Sequence, residues 1–222
     1  MIISLDTETT GVDFAHGAAP FLVTWCEQGM DPCFVEWDVD PLTRLPDIPE
    51  DDLVTITEVI DAAELIYLQG AKFDARALAT VGLELPWNKV RDTLVMGHLL
   101  ATNHKHDLTS MVEEYLQDYK FEKLELVVKE VTQKCRAVAK QDFPSWRIAR
   151  EGDPDLPSVK SSSKRDEDKP WKNDMWLSRA LIKEMWSGYE AEWLDACSRY
   201  ACGDSEYTLH LGLEMERLIR ER

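Results

Sequence analysis

Two carboxylates, Asp6 and Glu8, close the apolar run Ile2-Ile3-Ser4-Leu5 with a single residue, Thr7, between them. A short β-branched run of this kind reads as a buried strand. Strand side chains alternate between faces, so Asp6 and Glu8 point one way and Thr7 the other. Adjacent carboxylates on one face repel each other unless a cation sits between them. Oxygen donors suit a hard divalent ion such as Mg²⁺ or Mn²⁺.

Two further stretches offer the same chemistry. Gln69-Gly70-Ala71-Lys72-Phe73-Asp74 follows the apolar Leu65-Ile66-Tyr67-Leu68 and opens a helical pattern. Asp74 therefore falls near a strand's carboxyl end, where open α/β sheets gather their sites. In Tyr200-Ala201-Cys202-Gly203-Asp204, a helix would put Tyr200 and Asp204 on one face. Each stretch alone has a plain explanation, because Asp and Glu make up 42 of the 222 residues. Asp74 suits the first turn of any helix, Tyr200 suits a core and Asp204 suits solvent. Three such stretches in this order, each at the end of an element, are far more specific.

The elements that must position them form an α/β pattern. Strands are predicted over 1–7, 21–27 and 33–39 as an antiparallel meander, punctuated by Gly, Asp and Pro. A Pro-rich loop (Pro41, Pro46, Pro49) leads to a helix near 55–63. The strand 65–68 and a helix over 72–81 follow. Helices are predicted over 92–101, 107–119, 123–140, 174–187 and 190–202, and over 204–220 after a junction at Gly203. Residues 147–172 lose periodicity and hold Ser161-Ser162-Ser163 within a dense charge run, which reads as a flexible insertion. Strands first, then alternating strand and helix, then helices, point to a mixed sheet flanked by helices. The length suits one domain over 1–222.

Composition narrows the function. The net charge is −17, yet Lys129 to Lys172 carries eleven Lys/Arg against eight Asp/Glu, leaving fourteen against thirty-four elsewhere. An acidic body argues against tight, salt-sensitive duplex binding by this chain alone. It leaves room for a short single-stranded end drawn in through metal ions. No apolar run approaches a membrane span, and the start shows no secretion signal. Five cysteines without a C-x-x-C pair read as reduced, mostly buried thiols, so a cytoplasmic protein away from membranes is expected.

The combined motifs resemble the DEDD (DnaQ-like) superfamily of 3′→5′ exonucleases, in its tyrosine branch. The chain looks most like the proofreading exonuclease domain of family A DNA polymerases. Asp6 and Glu8 match the first motif, Asp74 the second, and Tyr200 with Asp204 the third. Asp92-Thr93-Leu94, His106-Asp107-Leu108 and Glu114-Tyr115-Leu116 are similar to that family too, whereas 129–187 does not align. The resemblance implies a ribonuclease H-like fold and two Mg²⁺ or Mn²⁺ ions held by Asp6, Glu8, Asp74 and Asp204. Tyr200 would then orient the attacking water. It further implies that Thr9, Gly11, Val12, Lys72 and Phe73 meet the 3′ end of single-stranded DNA, for a DNA polymerase domain or subunit. Alternatives are an RNA-processing exonuclease of the superfamily and a non-catalytic positioning domain.

One departure qualifies the match, and one histidine position supports the tyrosine branch. Gly70 stands where the family often has Asn, which removes one substrate contact. The sister branch has a His five residues before the last Asp, where this chain has Arg199. His16, His98, His104, His106 and His210 have the wrong spacing and read as surface or hydrogen-bonded residues, with His106 a candidate helix cap. Trp186, Tyr189 and Trp193 at helical spacing read as a core stripe, while Trp171, beside Lys169 and Lys172, reads as a DNA contact.

Overall fold

Apolar alternation and β-branched residues at the N-terminus produce β1 (Ile2–Thr9), the central strand of a five-stranded sheet. The computed structural model describes residues 1–40, 45–118 and 190–222, with side chains of the last helix from Arg199 onward. The sheet order is β3-β2-β1-β6-β7. β2 (Pro20–Glu27) pairs antiparallel with β1, and β3 (Cys33–Glu36) antiparallel with β2. β4 (Asp38–Val39) and β5 (Pro46–Asp47) form a separate ribbon. β6 (Leu65–Leu68) and β7 (Val90–Asp92) continue the main sheet in parallel. This is the mixed sheet of a ribonuclease H-like α/β fold.

Helices cover both faces. On one, α1 (Glu50–Ala62) and α2 (Ala71–Ala79) bury Ile56, Ile60, Ala71 and Leu78 against Ile3, Leu5, Val23, Ile66 and Leu68. On the other lie α3 (Thr93–Leu100), α4 (Leu108–Met111) and α5 (Glu190–Arg220). There Met96, Leu100, Met111, Leu209, Leu211 and Met215 pack around Cys26 and Tyr67. Residues alternate along β1, so Ile3 and Leu5 serve the first core while Ser4, Asp6 and Glu8 turn towards α5.

Several predicted bounds move. The strand read over 33–39 splits at buried Trp37, whose indole donates to Asp52 Oδ2 at 2.9 Å. α1 starts five residues earlier than predicted, because Glu50, Asp51 and Asp52 favour a helix N-terminus after Pro49. Residues 90–92 add a strand that the polar Arg91 and Asp92 concealed. The helix read over 107–119 is α4 continued by one π-helical turn, Val112–Leu116, ending at left-handed Gln117.

The junction expected at Gly203 is absent, since α5 runs unbroken through it for 31 residues. A mid-helix glycine costs about 1 kcal/mol. The buried row Ala201, Ser205, Thr208, Leu209 and Met215 outweighs that by seating the helix on the sheet.

The readings over 123–140, 147–172 and 174–187, and those for Trp171, Trp186 and Tyr189, lie outside the described residues, as do the surroundings of Trp193. So does much of what the single-domain reading rests on. Cys26, Cys33 and Cys202 are free thiols, of which only Cys26 is buried. No helix among the described residues is long and apolar enough to cross a membrane.

Candidate active site

β1 sits between an antiparallel neighbour and a parallel one, the switch point at which open sheets leave a crevice beyond the strand ends. Its ladder with β6 ends at the pair Ser4 and Tyr67, while pairing with β2 continues through Asp6–Thr24 and Glu8–Leu22. Asp6 and Glu8 thus lie past the end of the parallel ladder. The register with β2 shifts between Glu8 and Thr9, which turns the chain out of the sheet there.

Asp204 arrives on α5. Ser4 Oγ donates to Ser205 O at 2.5 Å and Thr24 Oγ1 to Ala201 O at 3.2 Å, so two buried hydroxyls from adjacent strands grip adjacent turns of the helix. That register brings one carboxylate oxygen each from Asp6, Glu8 and Asp204 within 4.8 Å of one another. Tyr200 lies one helical turn before Asp204 and is half-buried.

Asp74 arrives from the opposite face. Gly70 opens α2 in the left-handed region (φ 80°, ψ 49°), which an ordinary side chain adopts at a cost. Asp92 Oδ1 accepts from the Gly70 and Leu94 N–H groups, and its Oδ2 from the Ala71 N–H, each at 3.0 Å. One carboxylate therefore caps α3 and pins the start of α2. Gln69 Nε2 donates to His106 O at 2.9 Å, tying the same turn to the loop before α4. Asp74, only 2% exposed, accepts from Thr7 Oγ1 at 2.7 Å.

The acids perturb one another strongly. Burial pushes Asp6 up to about 6, against the lowering effect of the Thr7 backbone hydrogen bond. Glu8 rises to about 8 through burial, then through the charges of Asp6 and Asp74. Burial, and then Asp6, hold Asp74 well above the usual carboxylate range, while the Thr7 hydroxyl opposes them. Three carboxyl groups that resist ionisation, two of them converging with Asp204, are a poor arrangement without a counter-charge. Their donors are all hard oxygens, so the set fits Mg²⁺ or Mn²⁺.

The other predicted residues surround this end of the sheet. Thr9 Oγ1 donates to Gly11 O at 2.8 Å, shaping the turn after β1, and Val12 is 69% exposed beyond it. Lys72 and Phe73 are exposed on α2. No histidine joins the cluster of Asp6, Glu8 and Asp204 among the described residues, as their spacing implied. His106 is not the cap: Nε2 faces Ala101 O at 2.8 Å, and Asp107 caps α4 by accepting from the Ser110 N–H at 3.0 Å.

Four residues were not singled out from the sequence: Thr7, Asp92, Phe14 and Arg76. Thr7 faces away from Asp6 and Glu8, which is what lets it reach Asp74 from behind. Asp92 stood only within a matching stretch. Phe14 and Arg76 carried no signal at all. The Phe14 ring meets Phe73 edge-on, with centroids 5.2 Å apart, and Arg76 lies 5.4 Å above it.

A family model described as 3′-5′ exonuclease matches residues 2–142. The match spans Asp6, Glu8 and Asp74 but stops short of Tyr200 and Asp204; the geometry brings Asp204 to Asp6 and Glu8. A solved structure described as the "apo form of the nuclease" aligns at 14% identity and TM-score 0.42, covering 97% of this chain and 82% of that one. A search of curated proteins finds no match.

Proposed function

The chain belongs to the 3′-5′ exonuclease family of the DEDD superfamily, in the type found with family A DNA polymerases, and we propose that it trims single-stranded DNA from its 3′ end. The terminal phosphodiester is hydrolysed and a nucleoside 5′-monophosphate leaves, a proofreading activity for a polymerase of that type. The observation that carries this reading is the convergence of Asp6, Glu8 and Asp204 within 4.8 Å.

In this reading Asp6, Glu8 and Asp204 would hold one divalent ion, and Asp6 with Asp74 would serve a second. When bound, such ions acidify the attacking water and neutralise charge on the attacking and leaving oxygens. Tyr200 orients that water by hydrogen bonding. A phenol is a poor base at neutral pH, so the acidity of the water would have to come from the ions. Water attacks phosphorus, the bond to the 3′ oxygen breaks, and that oxygen takes up a proton. The chain after Glu8 (Thr9, Gly11, Val12) meets the terminal nucleotide, with Lys72 and Phe73 beside it. Gly70 offers no side chain to share this task. The complete acid set disfavours a purely positioning role.

Asp6→Ala and Asp204→Ala should each reduce Mg²⁺-dependent trimming of a 5′-labelled single-stranded oligonucleotide by about 10³-fold or more. Undiminished trimming by a purified variant would overturn the assignment. Faster trimming of a matched RNA strand by the wild type would move the substrate to RNA.

A further inference from the structure

Resting on the exonuclease reading, we propose that Phe14 and Arg76, with Phe73 and Lys72, form a ledge that holds single-stranded nucleic acid beside the carboxylates. Bases would stack on the aromatic rings and phosphates would pair with the two cations.

The charge distribution supplies the first argument. Most described cations on this acidic chain are engaged with protein. Arg217 binds Glu214 and Glu221, Arg220 binds Glu216, and Arg222 donates to the Leu99 and Leu100 carbonyls. Lys89 donates to Asp61 O and Arg91 to Val90 O. Lys72 and Arg76 are exposed, and among the described residues neither is drawn into an ion pair or hydrogen bond. They lie four apart on one side of α2, while Asp74 between them turns inward to Thr7. Two exposed cations on the helix that carries Asp74, on a chain of net charge −17, suit a polyanion.

The rings supply the second. Phe73 is 38% exposed, and Phe14 in the turn Phe14–His16 packs edge-on against it. Exposed aromatic faces bind successive bases without reading their identity. Arg76 above Phe14 presents a flat cation whose N–H groups still radiate at the rim. The start of α2 cannot serve the phosphates instead, because Asp92 already occupies the Gly70 and Ala71 N–H groups. Side chains must hold the strand.

The ledge touches no reacting atom, so it acts on binding. Phe14→Ala should raise KM for a single-stranded oligonucleotide about tenfold or more, with kcat within about twofold. Arg76→Gln should raise KM and make binding less salt-dependent, by roughly 0.7 in the log–log slope for each phosphate left unpaired. A substrate with abasic sites upstream of the cleaved nucleotide separates stacking from structure, since the Phe14→Ala penalty should vanish on it. Phe14→Leu, which keeps apolar bulk without a flat face, should behave like Phe14→Ala. An equal penalty on the abasic strand, or a loss confined to kcat, overturns the ledge. Equilibrium binding of a fluorescent oligonucleotide in an Asp204→Ala background tests the ledge even where trimming is absent. Weakening by Phe14→Ala there supports it, and unchanged affinity refutes it. Absence of trimming by the wild type refutes only the exonuclease reading.

Discussion

Asp204 and Asp74 reach the same strand end from opposite faces of the sheet by opposite means. Asp204 stands mid-way along a 31-residue helix, and its position follows from everything that seats α5: Ala201, Leu209, Met215 and the two hydroxyl grips from Ser4 and Thr24. Asp74 stands in the first turn of a nine-residue helix, and its position follows from a few hydrogen bonds through Thr7 and Asp92. An acid carried by a long interface tolerates the removal of any one support. One carried by two side chains does not. Damage behind α5 should therefore appear chiefly as reduced stability, and damage behind α2 chiefly as reduced metal affinity and rate.

The largest effect sharpens the comparison at the point where both supports meet. Burial raises Asp6 to about 6, and burial with the charges of Asp6 and Asp74 raises Glu8 to about 8, so near neutral pH in the folded, metal-free protein Glu8 holds its proton while Asp6 is mostly ionised. A raised carboxyl group favours the folded state below its ordinary range, and that contribution is lost as pH climbs through the raised value. Metal binding runs the other way, because it requires the ionised forms and releases their protons. Affinity for Mn²⁺ should rise by about tenfold per pH unit between 6 and 8, and more steeply below 6 where two protons must leave. Calorimetric titration at pH 5.5, 7 and 8.5 checks this. An affinity flat across that range would mean that the ions bind elsewhere.

The next effect tries to break the α2 side. Thr7→Val keeps shape and removes the donor to Asp74, and Asp92→Asn replaces one of the two accepting oxygens at the start of α2. Side chains that orient metal ligands are commonly worth about 10- to 100-fold in metal affinity or activity. Both variants should lose trimming in that range and recover part of it at high Mg²⁺, with melting temperatures changed by only a few degrees. Full activity in both would show that Asp74 is placed by α2 packing, erasing the contrast with Asp204.

The contrast also marks what could be read from the chain. Asp6, Glu8, Asp74, Tyr200 and Asp204 could be singled out as candidates because strand alternation and helical spacing are short-range rules, and the β1, β2 and β6 readings rest on the same rules. What lay hidden was long-range. Thr7 and Asp74 are 67 residues apart, and Gly70 and Asp92 are 22 apart. No local pattern announces that a threonine on the wrong face of a strand will reach around to a second acid. Gly203 misled for the same reason: intrinsic propensity says break, and only the buried surface on both sides of it says continue. β7 escaped because three residues carrying Arg91 and Asp92 show no strand periodicity, and their pairing with β6 exists only in the folded sheet.

The smallest effect probes the α5 side. Gly212 lies where α5 crosses β6, and a Cβ there would stand 2.5 Å from Tyr67 Cγ. Tyr67 cannot swing aside, since its ring is fully buried and its hydroxyl donates to Glu216 Oε2 at 2.7 Å. Gly212→Ala gains helix propensity of about 1 kcal/mol, whereas overpacking a core costs about 1–3 kcal/mol. Backbone movement of helix or strand is the only relief, so overpacking should prevail by about 1 kcal/mol. For a chain of this size that lowers the melting temperature by about 2–4 °C. Asp204 lies two turns away along a helix gripped independently at Ala201 and Ser205. Trimming well below the melting temperature should therefore stay within about twofold of wild type and show no added demand for Mg²⁺. Thermal melts and rates on one preparation decide the matter. A variant that melts normally yet needs more metal would show that Asp204, like Asp74, depends on a single support.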